Sequence, residues 1–318
     1  MIALLPLRLA AVAHLPRSAY ARGAVYATAA GIAMGTLGPL SNIAYATGMS
    51  SATFAALRAT VGALTLVGLI AVGRPTGVRL RDLNRHEVAL LGLTAIAQAA
   101  LSLSLFAAYG QMAVALVLAV YFCYPLLVSG ASIALGRERL TLVRAGALAI
   151  ALTGLVAVVL GRSGSAVALS LGGLALAGCA AACQATYLVT SRSGFTRVPS
   201  EKATALILAG AAVLMWLVAA PVEVASGRAL AWLGSPAAWG AVAMAGIIGA
   251  ALAKVWMLRG VRRVGGTRAS VLMLTEPLTG VLLAAVLLGQ GLAPIQVLGG
   301  VGVLLGASLA QRPAPARV

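Results

Sequence analysis

The sequence predicts an all-α integral membrane protein: ten transmembrane helices arranged as two inverted five-helix repeats, with both termini cytoplasmic. Three observations carry that expectation: apolar runs of membrane length, a one-sided distribution of arginine, and a proline-marked segment that occurs twice. Of the 318 residues, 61% are hydrophobic and 9% charged, and the mean hydropathy is +1.03. A soluble domain carries about one-quarter charged residues. The apolar residues come in continuous runs of 17 to 24 and not in the alternation of barrel strands. At about 1.5 Å per residue, such runs cross a hydrocarbon core of about 30 Å as helices.

The segment 1–21, "MIALLPLRLAAVAHLPRSAYA", contains an apolar stretch but no basic residue before it and Arg8 within it. That favours a cytoplasmic lead segment over a cleaved signal. The first repeat then spans 22–161 and the second 162–311, with 312–318 as a cytoplasmic tail. The first run, 24–46, carries the close-packing pair Gly31 and Gly35, then Gly38-Pro39 with Ser41 and Asn42 behind it; Pro39 and Asn42 are structural or gating candidates. Run 53–72 contains Arg58, and run 88–108 has Thr94, Gln98 and Ser102 at helical spacing on one face. Run 112–135 places Tyr121 and Tyr124 one turn apart beside Pro125, and run 143–160 is small and Gly-rich.

In the second repeat, run 171–191 carries Cys179, Cys183, Gln184 and Tyr187, while 203–221 is apolar throughout. The two cysteines have no histidine with them, so they are packing residues and no metal or other cofactor is expected. Run 238–258 has the small pair Gly246 and Ala250, then Lys254. Run 267–288 holds Glu276 and Pro277 between Thr275 and Thr279, and 294–310 repeats the Gly-rich pattern with Gly302 and Gly306. Pro277 removes a backbone donor and frees the carbonyl of Met273, marking a kinked, polar point in that helix.

Charge sets the orientation. Lys and Arg number 23 against 6 acids. With the N-terminus inside, 19 cations fall in cytoplasmic segments; Arg162 and Arg228 fall in outer loops, and Arg58 and Lys254 within runs. This is the positive-inside pattern. The charge therefore serves anionic lipid headgroups at the cytoplasmic face, and no nucleic-acid partner is implied.

The segment "YPLLVSGASIALGRERLT" (124–141) resembles "EPLTGVLLAAVLLGQGLA" (276–293) at a constant offset of 152 residues. An odd number of helices per copy inserts the second copy upside down. The loops agree, because "GRERLTLVR" after the fourth run is basic and its counterpart "GQGLA" is uncharged. Conversely, "YGQM" after the third run is uncharged and "RGVRRVGGTR" after the eighth has four arginines. Inverted repeats recur among secondary transporters, with the solute site near mid-depth between the halves.

These residues resemble the drug/metabolite transporter superfamily, in its ten-span form with two EamA domains. "TFAALRATVGAL" is similar to the family's arginine-bearing second helix, "YPLLVSGASIALGRERLT" to its proline helix and closing turn, and "TEPLTGVLLAAVLLGQ" to the second-domain copy. The likeness covers about residues 22–310, and the departures are an extra residue at Gly136-Arg137-Glu138 and Gln290-Gly291 in place of an acid. Length and apolar interior are most similar to bacterial exporters of amino acids and related metabolites, including the YddG type. The resemblance implies that the third, fourth, eighth and ninth helices line a central cavity. It thereby assigns Gln98, Ser102, Tyr121, Tyr124, Lys254 and Glu276 to the solute site; the polar face of Gln184 and Tyr187 joins them in the central cavity, and Pro39, Asn42, Arg58, Pro125 and Pro277 are structural or gating candidates.

Ionisable residues within apolar runs are costly and default to function. Arg58 and Lys254 each lie near a run end, so each either extends to the nearer interface, pairs structurally, or contacts solute. Glu276 lies about 13 Å from its helix end. It ties helices together, titrates a proton, or meets a solute ammonium. A membrane enzyme would need a nucleophile, metal cluster or paired carboxylates, which the runs lack, so an enzyme is not expected. The reading is a secondary transporter of the inner membrane that exports small organic solutes, amino acids foremost, by alternating access. The alternatives are another metabolite or drug class, or a membrane channel or scaffold without transport. Oligomeric state is not encoded legibly.

Overall fold

In the computed structural model, residues 17–73, 82–109, 111–112, 114–136, 141–160, 170–225, 231–288 and 293–310 are described, and every secondary-structure element among them is helical. The lead segment 1–16, the outer-loop arginines Arg162 and Arg228, the Arg137-Glu138 turn and Gln290-Gly291 lie outside the described residues. The first half comprises α1 (Arg17–Gly35), α2 (Leu37–Ala46), α3 (Ser51–Gly73), α4 (Arg85–Tyr109), α5 (Val114–Tyr121), α6 (Tyr124–Ala134) and α7 (Leu142–Leu160). The second comprises α8 (Leu171–Ser193), α9 (Ser200–Ala225), a 3-10 turn (Ala231–Gly234), α10 (Pro236–Met244), a π-helical segment (Ala245–Leu252), α11 (Ala253–Val264), α12 (Gly266–Leu272), α13 (Thr275–Leu288) and α14 (Pro294–Ala310).

Among the described residues, six helical stretches are long and apolar enough to cross a membrane: Ser51–Gly73, Arg85–Tyr109, Leu116–Ala134, Leu171–Arg192, Ser200–Ala225 and Pro236–Val264. Ala145–Val158 and Pro294–Leu309 are shorter apolar helices. The outer surface is greasy, with Leu64, Val67, Val213, Leu217 and Leu298 exposed, while Thr94, Gln98, Gln184, Lys254 and Ser270 are buried. This reversal of the soluble pattern is what a lipid solvent selects.

Three helices are interrupted, each just before a proline. Pro39 cannot donate to the Gly35 carbonyl, and the α1–α2 join falls at Thr36, whose hydroxyl donates to the Ala33 carbonyl at 2.7 Å. Pro125 follows the α5–α6 join at Phe122-Cys123, and Pro277 the α12–α13 join at Met273-Leu274. The Met273 carbonyl does not stay free as the sequence suggests: the Glu276 N–H donates to it at 2.9 Å, closing a tighter turn.

The packing obeys an exchange of halves. Counting each interrupted helix as one rod, α4 lies along α8 just as α1 lies along α11, and α4 meets α9 as α3 meets the π-helical segment. Rods in corresponding positions meet each other: α3 with α9, α6 with α12, and α7 with α14. Glycine allows the last contact. A Cβ on Gly154 would fall 2.5 Å from the Gly299 carbonyl oxygen, so the two backbones touch.

The rod ends segregate by chemistry. At one end, Asn84 and Glu87 cap α4 reciprocally, with Arg197 Nη1 3.7 Å from Glu87 Oε2. At the same end Arg259 pairs with Glu201, and Arg262 donates to the Val198 and Phe195 carbonyls at 2.8 and 2.9 Å. At the opposite end, Glu223 accepts from Thr53 Oγ1 at 2.7 Å and Trp232 Nε1 at 3.2 Å.

Candidate functional site

The interrupted helices bring their joins to the middle of the bundle. Tyr124, the first residue of α6, is fully buried, and its hydroxyl donates to the Ser270 carbonyl of α12 at 3.4 Å. The two proline-marked rods thus touch at their breaks. Aromatic contacts gather on the first-half side, with Tyr121 and Tyr124 ring centroids 5.6 Å apart and Phe122 4.9 Å from Tyr121. On the second-half side, Glu276 stands in the first turn of α13, where the positive end of the helix dipole favours an acid. Its position is held by α1: Gly31 packs on Met273, Thr275 and the Glu276 nitrogen, and Thr275 Oγ1 donates to the Thr28 carbonyl at 3.4 Å.

The Glu276 carboxylate lies within Coulombic range of Lys254 and Arg58. The phenols of Tyr109, Tyr121 and Tyr124 are within the same range of it. Tyr45 of α2 faces Arg58 and Tyr109. The ammonium of Lys254 sits over the Tyr187 ring, 4.7 Å from its centroid, and the residue is 5% exposed. A desolvated cation–π contact of this kind contributes about 2 kcal/mol.

Lys254 therefore does not extend to an interface, correcting one of the alternatives read from sequence. The run was expected to end near 258, but the helix continues to Val264. It does so because Arg259 and Arg262 bind Glu201 and the 195–198 carbonyls, and Arg259 and Arg263 lie over the Tyr26 ring. Lys254 is accordingly deeper than a helix ending at 258 allows. Arg58 turns inward likewise, with a buried Nε that has no hydrogen-bond partner among the described residues.

Of the remaining sequence candidates, Gln184 is buried one turn before Tyr187 on α8, and its amide nitrogen reaches Met257 Sδ at 4.0 Å. Gln98 and Ser102 are buried on α4 and bond to each other at 3.4 Å. Their neighbour Thr94 bonds Thr190 of α8 at 2.9 Å, so this stripe serves the α4–α8 seam at least at its lower end. Asn42 is exposed on α2 and does not join the cluster. Pro39, Pro125 and Pro277 each stand in the first turn after a join. Sequence reasoning missed Tyr45 and Tyr109. Tyr109 was recoverable, since it lies on the stripe of Gln98 and Ser102 continued along α4. Among the described residues no group of His, Cys, Asp and Glu could hold a metal ion.

Charges and phenols thus gather near the breaks of the two proline-marked rods. The EamA-like transporter family matches twice, over residues 21–160 and 171–311. The chain belongs to the EamA-like transporter family. It is a multi-pass membrane protein, and the family's members are transporters and not enzymes. Among curated proteins none matches the sequence of this EamA-like transporter. A solved crystal structure is similar in fold, with a TM-score of 0.75 at 21% identity, covering 91% of this chain and 96% of that one. In this EamA-like transporter the first family match contains two proline-marked breaks, at Thr36 and at Phe122-Cys123, and the second contains the one at Met273-Leu274.

Proposed function

We propose that the protein is a secondary transporter that exports small organic solutes, amino acids and related metabolites foremost, from the cytoplasm by alternating access of two inverted five-helix halves. In this reading ten helices span the inner membrane and both termini are cytoplasmic. The arginine-rich rod ends, Arg197, Arg259, Arg262 and Arg263, then face anionic headgroups on the cytoplasmic side. The observation that carries the proposal is the meeting of the α5–α6 and α12–α13 breaks around Glu276, Lys254 and Arg58. Broken helices expose backbone polarity only where a cavity or protein receives it, and repeat-related breaks mark the solute site of inverted-repeat carriers.

The test is solute counterflow in proteoliposomes loaded with single amino acids. Saturable exchange is expected for at least one of them, and its absence for every amino acid tried removes the substrate class. Flux that rises linearly with concentration identifies a channel instead. Glu276→Gln is expected to change the exchange rate by about tenfold or more while the protein still accumulates and melts cooperatively in detergent. Failure to accumulate assigns Glu276 to holding α13 against its neighbours.

A further inference from the structure

The cluster, in which Lys254 is buried and Arg58 and Glu276 are half-buried, does not balance its own charge. Arg58 and Lys254 bring two cations and Glu276 one acid. The other described acids are engaged elsewhere, Glu87 with Asn84 and Arg197, Glu201 with Arg259, and Glu223 with Thr53 and Trp232, while Asp82 lies at the foot of α4. None of these faces the cluster. The phenols around it, Tyr45, Tyr109, Tyr121 and Tyr124, are neutral and cancel no cation. An excess cation in a low-dielectric interior is a standing cost that a bound anion removes.

Unsatisfied polar atoms complete the pattern. The Arg58 Nε is a buried donor without a partner among the described residues, and so is the hydroxyl of Tyr187, the ring of which lies under the Lys254 ammonium. Glu276 Oε2 and Gln184 Oε1 are acceptors in the same condition. Unpartnered donors and acceptors thus both occur, as a solute with one anionic end and one hydrogen-bond-donating end requires.

We infer that Arg58 and Lys254 together hold an anionic group of the solute, a carboxylate, and that the uncompensated cation makes net-negative solutes the preferred cargo. Glu276 and Gln184 then receive the donor end. This rests on the transport reading of the same site, and binding and transport are measured separately so that each can fail alone. The probes are N-acetyl-phenylalanine, phenylalanine and phenylalaninamide, and the matching leucine series, which hold the side chain constant while net charge runs from negative through zero to positive.

Binding to the full-length purified protein is read by thermal stabilisation in detergent, and exchange by counterflow. The acetylated acid is expected to bind most tightly and the amide most weakly, with about tenfold between successive forms. Lys254→Met and Arg58→Gln are expected to flatten that order, each by weakening the acids and leaving the amide unchanged or tighter. The wild-type series decides without any variant, so a variant that fails to fold costs nothing. An amide that binds as tightly as its acid overturns the inference, as does failure of every acid in both series to bind. An order that persists in both folded variants also overturns it. Charge-ordered binding without counterflow leaves the inference standing and removes the transport reading.

Discussion

A methyl group on Gly31 would press on the Thr275 hydroxyl and stand 3.1 Å from the Met273 carbonyl oxygen. Both are fixed, one by its bonds to Leu272 and Thr28 and the other by the turn that positions Glu276. Gly31→Ala is therefore expected to cost about 1–3 kcal/mol through overpacking, seen as a lower detergent melting temperature. Gly68→Ala, where a Cβ meets nothing within 4 Å, is the matched control and should show no loss. At this scale the sequence was informative where chemistry is rare: a lone acid before a proline, an arginine and a lysine inside apolar runs. It was uninformative where position depends on helix length. Lys254 looked peripheral because nothing local reveals that Arg259 and Arg262 prolong its helix by binding another rod's end. Tyr109 was legible as the continuation of the Gln98 and Ser102 stripe, whereas Tyr45 lies near a helix tip and only the assembled bundle brings it within range of Arg58.

At the scale of elements, the proline-marked joins were legible because the missing N–H and the ring clash act within one turn. The π-helical segment Ala245–Leu252 was not. It contains no proline to mark it. Leu37 of α2 packs on Gly249 within it, and Val61 of α3 packs on Gly246. The α11–α12 connection is the reverse case, since Gly265 alone joins the two helices at φ 90 and ψ 164. That region is restricted to glycine, and another residue there costs about 1–3 kcal/mol. Gly265→Ala is expected to lower the melting temperature by a corresponding amount and to slow counterflow, because α12 carries the Ser270 carbonyl that receives Tyr124. A variant with wild-type melting and exchange would show that the turn has no role in placing α12.

For the whole molecule, the family and the double repeat were readable from the 152-residue offset and the loop charges, since both are long-range sequence properties. Which rods touch was not, because helices of small apolar residues carry little address information beyond their glycines. The proposed orientation makes a direct prediction. After Cys123, Cys179 and Cys183 are replaced by serine or alanine, Leu233→Cys should react with an impermeant maleimide added outside intact cells. His86→Cys should react only after the cytoplasmic face is opened. The reverse pattern would turn the molecule over and detach the arginine-rich ends from the anionic leaflet.

Tyr124 of the first half stands where the second half has Glu276. A scaffold of matched halves can trade their roles, but the reagents mounted on it cannot, because Lys254 and Glu276 both ride on the second half and Arg58 on the first. In the proposed alternating-access cycle the inward-open and outward-open forms would present different surroundings to the same solute, so unequal half-saturating concentrations are expected on the two faces. Detailed balance then requires a compensating inequality in the two maximal rates, since no carrier shifts the equilibrium of an uncoupled solute. The solute gradient sets the direction of flux, and the asymmetry sets only how fast each face fills and releases.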